Sequence, residues 1–271
     1  MGDKIKKPLN RGEKIKMSWE KIAIISDIHS NLEALESVLK KIDEEKPDKI
    51  ICLGDIVGYG ADPDLCCQLV RKYCDITLLG NHDAAVAGII SDDYFVEHAR
   101  EAIKWTKKVM KEENIEWLKS LPLTHQEDVF FFSHGAPYSP DDFIYLVTYD
   151  SAFWSLKFLE SSGFKASFSG HAHITYVFGI RKQSNDNKNS RDQIFVSAPN
   201  QININDFEVI SINVGSVGQP RDGNPKAAFG ILEKNGLYRA IRTDYDIEKA
   251  SKKILDADLP KILSSRLFLG K

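Results

Sequence analysis

The chain has 271 residues, 42% of them apolar and 28% charged, with a formal net charge of −3. That length carries one large core or two small ones, and the composition is ordinary for a soluble globular protein. The small net charge excludes a general attraction to nucleic acid or anionic membranes, and no apolar run approaches the ~18 residues that span a bilayer.

The first 16 residues hold six Lys or Arg and no apolar h-region, which argues against a secretory signal. Residues 1–17 are therefore expected to be a disordered basic arm, and residues 18–271 a single domain. The four cysteines, Cys52, Cys66, Cys67 and Cys74, contain no C-x-x-C pair, which points to a reduced, cytoplasmic protein.

Lys21 to Ser26 is a short β-branched run and is expected to be the first strand. Asn31 is a fitting N-cap, and Leu32, Leu35, Leu39 and Ile42 recur at helical spacing up to Pro47. Lys49–Leu53 reads as a second strand, Asp62-Pro63 opens a helix to about Lys72, and Asp75–Leu79 reads as a third strand. Strands and helices alternating over short connections predict crossover units and a parallel start to the sheet.

From Asp92 to Leu121 the spacing predicts a long helix and then a short one, an insertion that either roofs a pocket or packs on the sheet edge. Thr124–Gln126 and Val129–Phe132 fit a hairpin, Ser151–Ser161 a helix, and Ala166–Ser169 a strand. Tyr176–Arg181 and Ile194–Ser197 are expected strands joined by a polar hairpin tip, Gln183 to Arg191. Phe207–Asn213, Ala227–Glu233 and Tyr238–Arg242 complete the strands, and Asp246–Leu255 is a closing helix.

Chemistry-bearing residues gather where the apolar runs end. Asp27-Ile28-His29 follows the first, Gly54-Asp55 the second, and Gly80-Asn81-His82-Asp83 the third; Ser133-His134-Gly135 and Gly170-His171-Ala172-His173 follow later ones. Five of the seven histidines lie in these blocks. Asp, His and Asn offer oxygen and nitrogen without sulfur, a set that suits Mn²⁺, Fe²⁺, Zn²⁺ or Co²⁺, and a carboxylate such as Asp55 can bridge two ions. Two metals ~3.5–4 Å apart can hold a hydroxide and clamp a phosphoryl oxygen during in-line attack.

At these blocks the chain resembles the calcineurin-like metallophosphoesterase superfamily, whose D-x-H, G-D, G-N-H-[DE], H-before-small and G-H-x-H patterns all occur here in order. The short Asp27–Asn31 segment and the run Asn213–Arg221 are similar to its small prokaryotic phosphodiesterase/phosphatase branch. The resemblance implies an α/β fold, a four-layer αββα sandwich of two mixed sheets flanked by helices. It implies that Asp27, His29 and His173 hold one ion, that Asn81, His134 and His171 hold the other, and that Asp55 bridges. His82 would give a proton to the leaving oxygen, with Asp83 fixing its ring.

Substrate contacts are expected from Asn81, Tyr59, Ser216 and Arg221, the last two on a glycine-rich loop that either cradles a phosphate or is a tight turn. The implied cofactor is a pair of divalent ions, Mn²⁺ first, with Fe²⁺/Fe³⁺, Zn²⁺, Co²⁺ or Ni²⁺ as alternatives. The implied activity is hydrolysis of a small phosphomonoester or phosphodiester, a nucleotide among the candidates, by attack of a hydroxide between the metals. Other readings are a dinucleoside-polyphosphate hydrolase, a protein Ser/Thr phosphatase, or a non-catalytic scaffold. No nucleic-acid or membrane partner is expected.

Overall fold

The computed structural model describes residues 17–182 and 194–271. The expected basic arm, apart from Met17, and the hairpin tip at 183–191 lie outside the described residues. In chain order the first half contains β1 (Lys21–Ile25), α1 (Leu32–Glu45), β2 (Lys49–Cys52), α2 (Pro63–Tyr73), β3 (Ile76–Thr77), α3 (Asn81–Val86), α4 (Glu97–Val109), α5 (Glu112–Lys119), β4 (Thr124–Glu127) and β5 (Phe130–Ser133). The second half contains α6 (Tyr149–Ser162), β6 (Ala166–Ser169), β7 (Thr175–Arg181), β8 (Phe195–Ser197), β9 (Gln201–Asn203), β10 (Phe207–Val214), β11 (Ala227–Glu233), β12 (Leu237–Thr243), α7 (Ile247–Asp256) and α8 (Lys261–Leu269).

Local chemistry sets several of these ends. The Asn31 side chain accepts from Ala34 N–H at 3.1 Å and starts α1; Lys46, at φ 52°, ends it just before Pro47. Pro63 opens α2, where its missing N–H leaves no helical bond unmade. Asp246 accepts from Lys249 N–H at 2.9 Å and starts α7.

Two six-stranded sheets form, ordered β3-β2-β1-β11-β12-β9 and β4-β5-β6-β10-β7-β8. β1, β2 and β3 are parallel neighbours, as the alternation of strands and helices predicts, and β5, β6 and β10 are parallel in the second sheet. The remaining pairings are antiparallel, so both sheets are mixed.

The strands alternate between two buried environments. Ile22 and Ile24 of β1 face the second sheet, where they meet Phe130, Phe132, Phe168 and Ile212. Ala23 and Ile25 point the other way, against Leu35, Val38, Cys66 and Val70 of α1 and α2. In the second sheet Phe131 and Val209 turn outward onto Leu156 and Leu159 of α6. Burying both faces of a strand removes any polar alternation, which is why these segments read as continuous apolar runs. Each fully buried aliphatic side chain contributes roughly 1.5–3 kcal/mol, so this double-faced core makes helix, sheet, sheet and helix one four-layer stack.

The segment after β3 departs from expectation. The long helix begins at Glu97 rather than Asp92, and its Ala99 and Ala102 pack against Ala250, Ile254, Leu263 and Leu267 of α7 and α8. β9 and α8 have no counterpart in the sequence expectations.

Candidate metal centre

Parallel pairing aligns the carboxyl ends of β1 and β2 in one sheet and of β5, β6 and β10 in the other, and the loops beyond them meet, at the usual location of ligand-binding loops in α/β sheets. There the loops bond directly to one another. Asp27 N–H donates to Gly54 O at 3.0 Å, Ile28 and His29 N–H donate to Asp55 O at 2.8 and 2.9 Å, and Gly170 N–H donates to His134 O at 3.0 Å. Such close approach excludes side chains at two glycines in particular. A Cβ on Gly80 would lie 2.2 Å from Asp55 N, and one on Gly170 would lie 2.4 Å from Asp27 Oδ2.

The same crowding twists the backbone. Asp27, His29, Asp55, His171 and His173 all have φ between 49° and 65°, the left-handed region that non-glycine residues rarely enter. Each such residue costs about 1–3 kcal/mol, and strain of this kind persists where surrounding structure holds it in place.

The imidazoles show what the loops are aimed at. Nδ1 of His29 lies 3.1 Å from Val57 O, Nδ1 of His134 3.0 Å from Leu53 O, and Nδ1 of His173 2.6 Å from Gln219 O. A carbonyl only accepts, so each Nδ1 carries the hydrogen and each Nε2 is the atom left to take a proton or a metal ion. Those Nε2 atoms converge. His29 Nε2 lies 3.0 Å from His173 Nε2, while His134 Nε2 lies 3.1 Å from Asn81 Oδ1 and 3.2 Å from His171 Nδ1. Asp55 Oδ2 sits between the two sets, 3.5 Å from His29 Nε2 and 3.3 Å from His134 Nε2. Asp27 Oδ1 is 3.3 Å from His173 Nε2.

Buried acceptors facing acceptors repel unless a cation lies among them, and a histidine held by a backbone carbonyl through its other nitrogen is the usual arrangement of a metal ligand. The side chains fall into two groups whose ligand atoms lie within 4.8 Å of one another, Asp27, His29, Asp55 and His173, and Asp55, His134 and His171. Asp55 belongs to both. The donor chemistry therefore fits a pair of divalent ions.

Charge at the site follows from burial and neighbours. Burial and then the His134 charge lower His171 to about 3. Burial also lowers His29 well below its usual range, although the Asp55 charge pulls the other way. Burial acts likewise on His134, but there the Asp55 charge prevails and lifts it to about 9, so near neutral pH its Nε2 holds a proton toward Asp55 that a bound ion would displace. The carboxyl of Asp55 is held well below the usual carboxylate range; burial opposes this, and the His134 and His82 charges outweigh it.

His82 is 4% exposed and contributes to neither ligand group. Its ring packs 4.8 Å from that of His29, 4.5 Å from that of Tyr59 and 4.9 Å from that of Phe95. Asn81 stands at the first position of α3 rather than on a free loop.

Two expected roles need correction. Asp83 does not hold the His82 ring, whose Nδ1 has no hydrogen-bond partner. Its Oδ1 accepts from Ile56 and Val57 N–H at 2.9 and 3.1 Å, and its Oδ2 accepts from Gly80 N–H at 3.1 Å, tying the Asp55 loop to the start of α3. Burial, then the Asp55 charge, raise Asp83 to about 7 against the pull of those N–H groups. Asp83→Asn is expected to turn an amide donor toward an N–H donor and to lower stability by about 1–3 kcal/mol, read as a fall in Tm. A rate loss confined to poor leaving groups, with Tm unchanged, would contradict this placement.

Ser216 is fully buried and reaches no open space. Its hydroxyl donates to Asp27 O at 2.8 Å and accepts from Gln219 N–H at 2.8 Å. Val217 and Gly218 N–H donate to Ser26 O and Asp27 O, both at 2.9 Å. The glycine-rich loop is thus a brace that clamps the Asp27 turn, and the amides of Gly215, Val217, Gly218, Gln219 and Arg221 are taken up within the protein. Arg221, at the end of the same loop, and Tyr59 do lie beside the centre.

Tyr145 and Phe95 were not among the expected site residues. Tyr145 stacks on His171, ring centres 3.7 Å apart at 23°, while remaining 48% exposed. Tyr145 belongs to an irregular segment without a motif or a period, whereas Phe95 fits the helical spacing of 92–121 but lies just before the helix that forms. Of the segment expected either to roof the site or to pack on the sheet edge, Phe95 reaches His82, whereas Tyr94 is 93% exposed and Trp105 packs among α7 and α8.

Comparison with known proteins agrees with this geometry. The profile of the family described as calcineurin-like phosphoesterase matches residues 20–175. An uncharacterised protein of Methanocaldococcus jannaschii is 42% identical over 257 residues, 92% of this chain and 98% of its own. The crystal structure of a metallophosphoesterase from Sphaerobacter thermophilus superposes with a TM-score of 0.77 at 35% identity, covering 93% of this chain and 99% of that one. A hypothetical protein of Pyrococcus horikoshii OT3, 17% identical, shares the fold with a TM-score of 0.71 over 93% of this chain and 98% of its own. A family match running from just before β1 to the first residue of β7, joined to relatives that span nearly the whole chain, leads to one conclusion: the protein belongs to the calcineurin-like phosphoesterase family.

Proposed function

We propose that this chain is a metal-dependent phosphoesterase that hydrolyses a phosphomonoester or a phosphodiester. One observation carries the reading: buried imidazole Nε2 atoms, each set by a carbonyl on the far nitrogen, converge with Asp27, Asp55 and Asn81. Asp27, His29 and His173 would hold one ion, Asn81, His134 and His171 the other, and Asp55 would touch both. When bound, two such ions supply Lewis acidity toward a phosphoryl oxygen and bring the pKa of water near neutrality. Manganese is the ion we favour, with iron, zinc, cobalt and nickel as alternatives that suit the same donors.

The chain's own residues would do the rest. His82 stands next to the cluster without being part of it, in position to give a proton to the departing oxygen. Burial holds its ring at about 4, against the pull of Asp55, so in the free site it is neutral at pH 7. A docked phosphate brings negative charge beside the ring and favours its protonated form, so donation belongs to the substrate-bound state. Tyr59 would close one side of the pocket and Tyr145 the other.

A second reading, a dinucleoside-polyphosphate hydrolase, is favoured by the half-exposed Tyr145 ring, which offers a nucleobase a face to stack on. We place the protein in the cytoplasm on its four unbridged cysteines, Cys66 and Cys67 adjacent and buried among them. Among the described residues no helix is long and apolar enough to cross a membrane. The test is hydrolysis of p-nitrophenyl phosphate and of its bis-ester with added Mn²⁺. Turnover of either supports the reading; no turnover of either, with ions demonstrably bound, would replace it with a non-catalytic scaffold.

A further inference from the structure

Positive charge gathers around Tyr59, beside the cluster, where Arg221 N–H also donates to the main-chain oxygen of His173 at 2.9 Å. Arg221, from the loop after β10, donates through Nη2 to Tyr59 Oη at 3.3 Å, with its guanidinium carbon 5.7 Å from the ring centre. Nε and Nη2 also donate to Gln219 Oε1, at 3.2 and 2.8 Å. Arg266, on α8, places Nη1 3.1 Å from Nε2 of His98 on α4, and donates from Nε to the main-chain oxygen of Lys271 at 2.9 Å. The His98 ring lies 6.5 Å from that of Tyr59, nearly parallel at 28°. Three separate elements therefore deliver cationic or hydrogen-bonding groups to one tyrosine.

Arg239 and Arg242 pair with Glu45 and Asp222, whereas among the described residues neither Arg221 nor Arg266 has an Asp or Glu partner. Both are half-buried. Burial and then the Arg221 charge hold the Arg266 guanidinium below its usual range, so the two cations act on each other. Like charges drawn together away from bulk water are unfavourable, and an anion accepting from both relieves the repulsion. Guanidinium forks match phosphate geometry better than ammonium groups do. Tyr59 also touches the reacting side, with its ring 4.6 Å from that of His29 and 4.5 Å from that of His82. An anion held by Arg221 and Arg266 would therefore lie next to the tyrosine that borders the cluster.

Building on the phosphoesterase reading, we propose that Arg221, Arg266 and His98 bind a second phosphate of the substrate, so that the substrate class is a phosphoester bearing another phosphate beyond the scissile one. No residue of this group other than Arg221 stands out in the sequence, because α4 and α8 meet only in the folded chain.

The test uses the manganese-loaded full chain and α,ω-alkanediol bisphosphates of two to six carbons against the matching singly phosphorylated alcohols. The wild type should show a higher kcat/KM for a bisphosphate of fitting length than for its monophosphate. Arg266→Gln should lower that preference by about 10- to 100-fold, the effect of one lost charge-assisted hydrogen bond, and Arg266→Lys should keep part of it. Metal content should be the same in all three. No bisphosphate preference in the wild type, or the same preference in Arg266→Gln, would overturn the proposal. If the wild type binds metal yet hydrolyses no phosphoester, the activity reading fails separately, and calorimetric binding of the bisphosphate to wild type and Arg266→Gln decides the subsite. Should Arg266→Gln fail to fold, His98→Gln carries the same comparison, with a smaller drop expected.

Discussion

Asp55→Asn should abolish turnover of every phosphoester and weaken both ions together. The geometry explains why one substitution reaches two sites. Asp55 Oδ1 accepts from His82 N–H at 2.8 Å, a bond that an asparagine oxygen can keep. Keeping it turns the new NH₂ group to the position of Oδ2, which faces His29 Nε2 at 3.5 Å and His134 Nε2 at 3.3 Å. The variant thus removes the shared negative charge and points N–H donors at the space for the ions. Loss of groups that merely support ligands typically weakens metal binding 10–100-fold, so loss of a shared ligand should exceed about 100-fold for each ion. Metal content of the purified variant checks this, and two ions held at full affinity would refute the bridging role.

His82→Ala should behave differently, keeping both ions while slowing turnover by ~10²–10⁴-fold, the range for loss of a general acid. Its ring contributes to neither ligand group, yet it touches His29, Tyr59 and Phe95 at the rim of the cluster. The deficit should depend on the leaving group. A nitrophenolate is already stable as an anion and needs little protonation, whereas an alkyl alcohol or a ribose hydroxyl needs much. Comparing the two in one variant separates proton donation from positioning. His134→Ala should lose both substrates alike, because it removes a ligand. An equal loss across leaving groups in His82→Ala would mean that the ring positions the phosphate and does not protonate the leaving oxygen.

Much of the fold was legible because its layers leave a simple mark. β1 to β3 read as apolar runs ending in Asp or Gly, and strands buried on both faces produce that pattern. The antiparallel join of β1 to β11 was not legible, since it pairs Lys21 with Glu233 and no local pattern reports such a distant partner. β9 is a three-residue, largely polar edge strand with too little sequence to carry a period. α8 buries Leu263, Ser264 and Leu267 but leaves Ile262, Phe268 and Leu269 exposed, so apolar residues surround the helix and blur its face.

The side chains of the candidate centre were visible as motifs because they lie at strand ends. What they lean on was not visible. Asp83 and Ser216 are polar residues in motif-rich segments, and from sequence they look like chemistry. Their partners are main-chain groups of the Asp55 and Asp27 loops, which come near only when both sheets assemble. Tyr145 and Arg266 escaped notice for the opposite reason: they belong to segments without any motif, and packing alone brings them to the site.

The most direct measurement is metal stoichiometry against activity in the wild-type chain. The protein is stripped with a chelator, shown to be metal-free, and titrated with Mn²⁺ while bound ion and phosphoester turnover are followed together. Two ions bound per chain, no turnover in the stripped protein and turnover restored as the second ion binds are the expected result. Full turnover by the metal-free protein, or no ion retained by the wild type, would contradict the assignment of these seven side chains as a dinuclear centre.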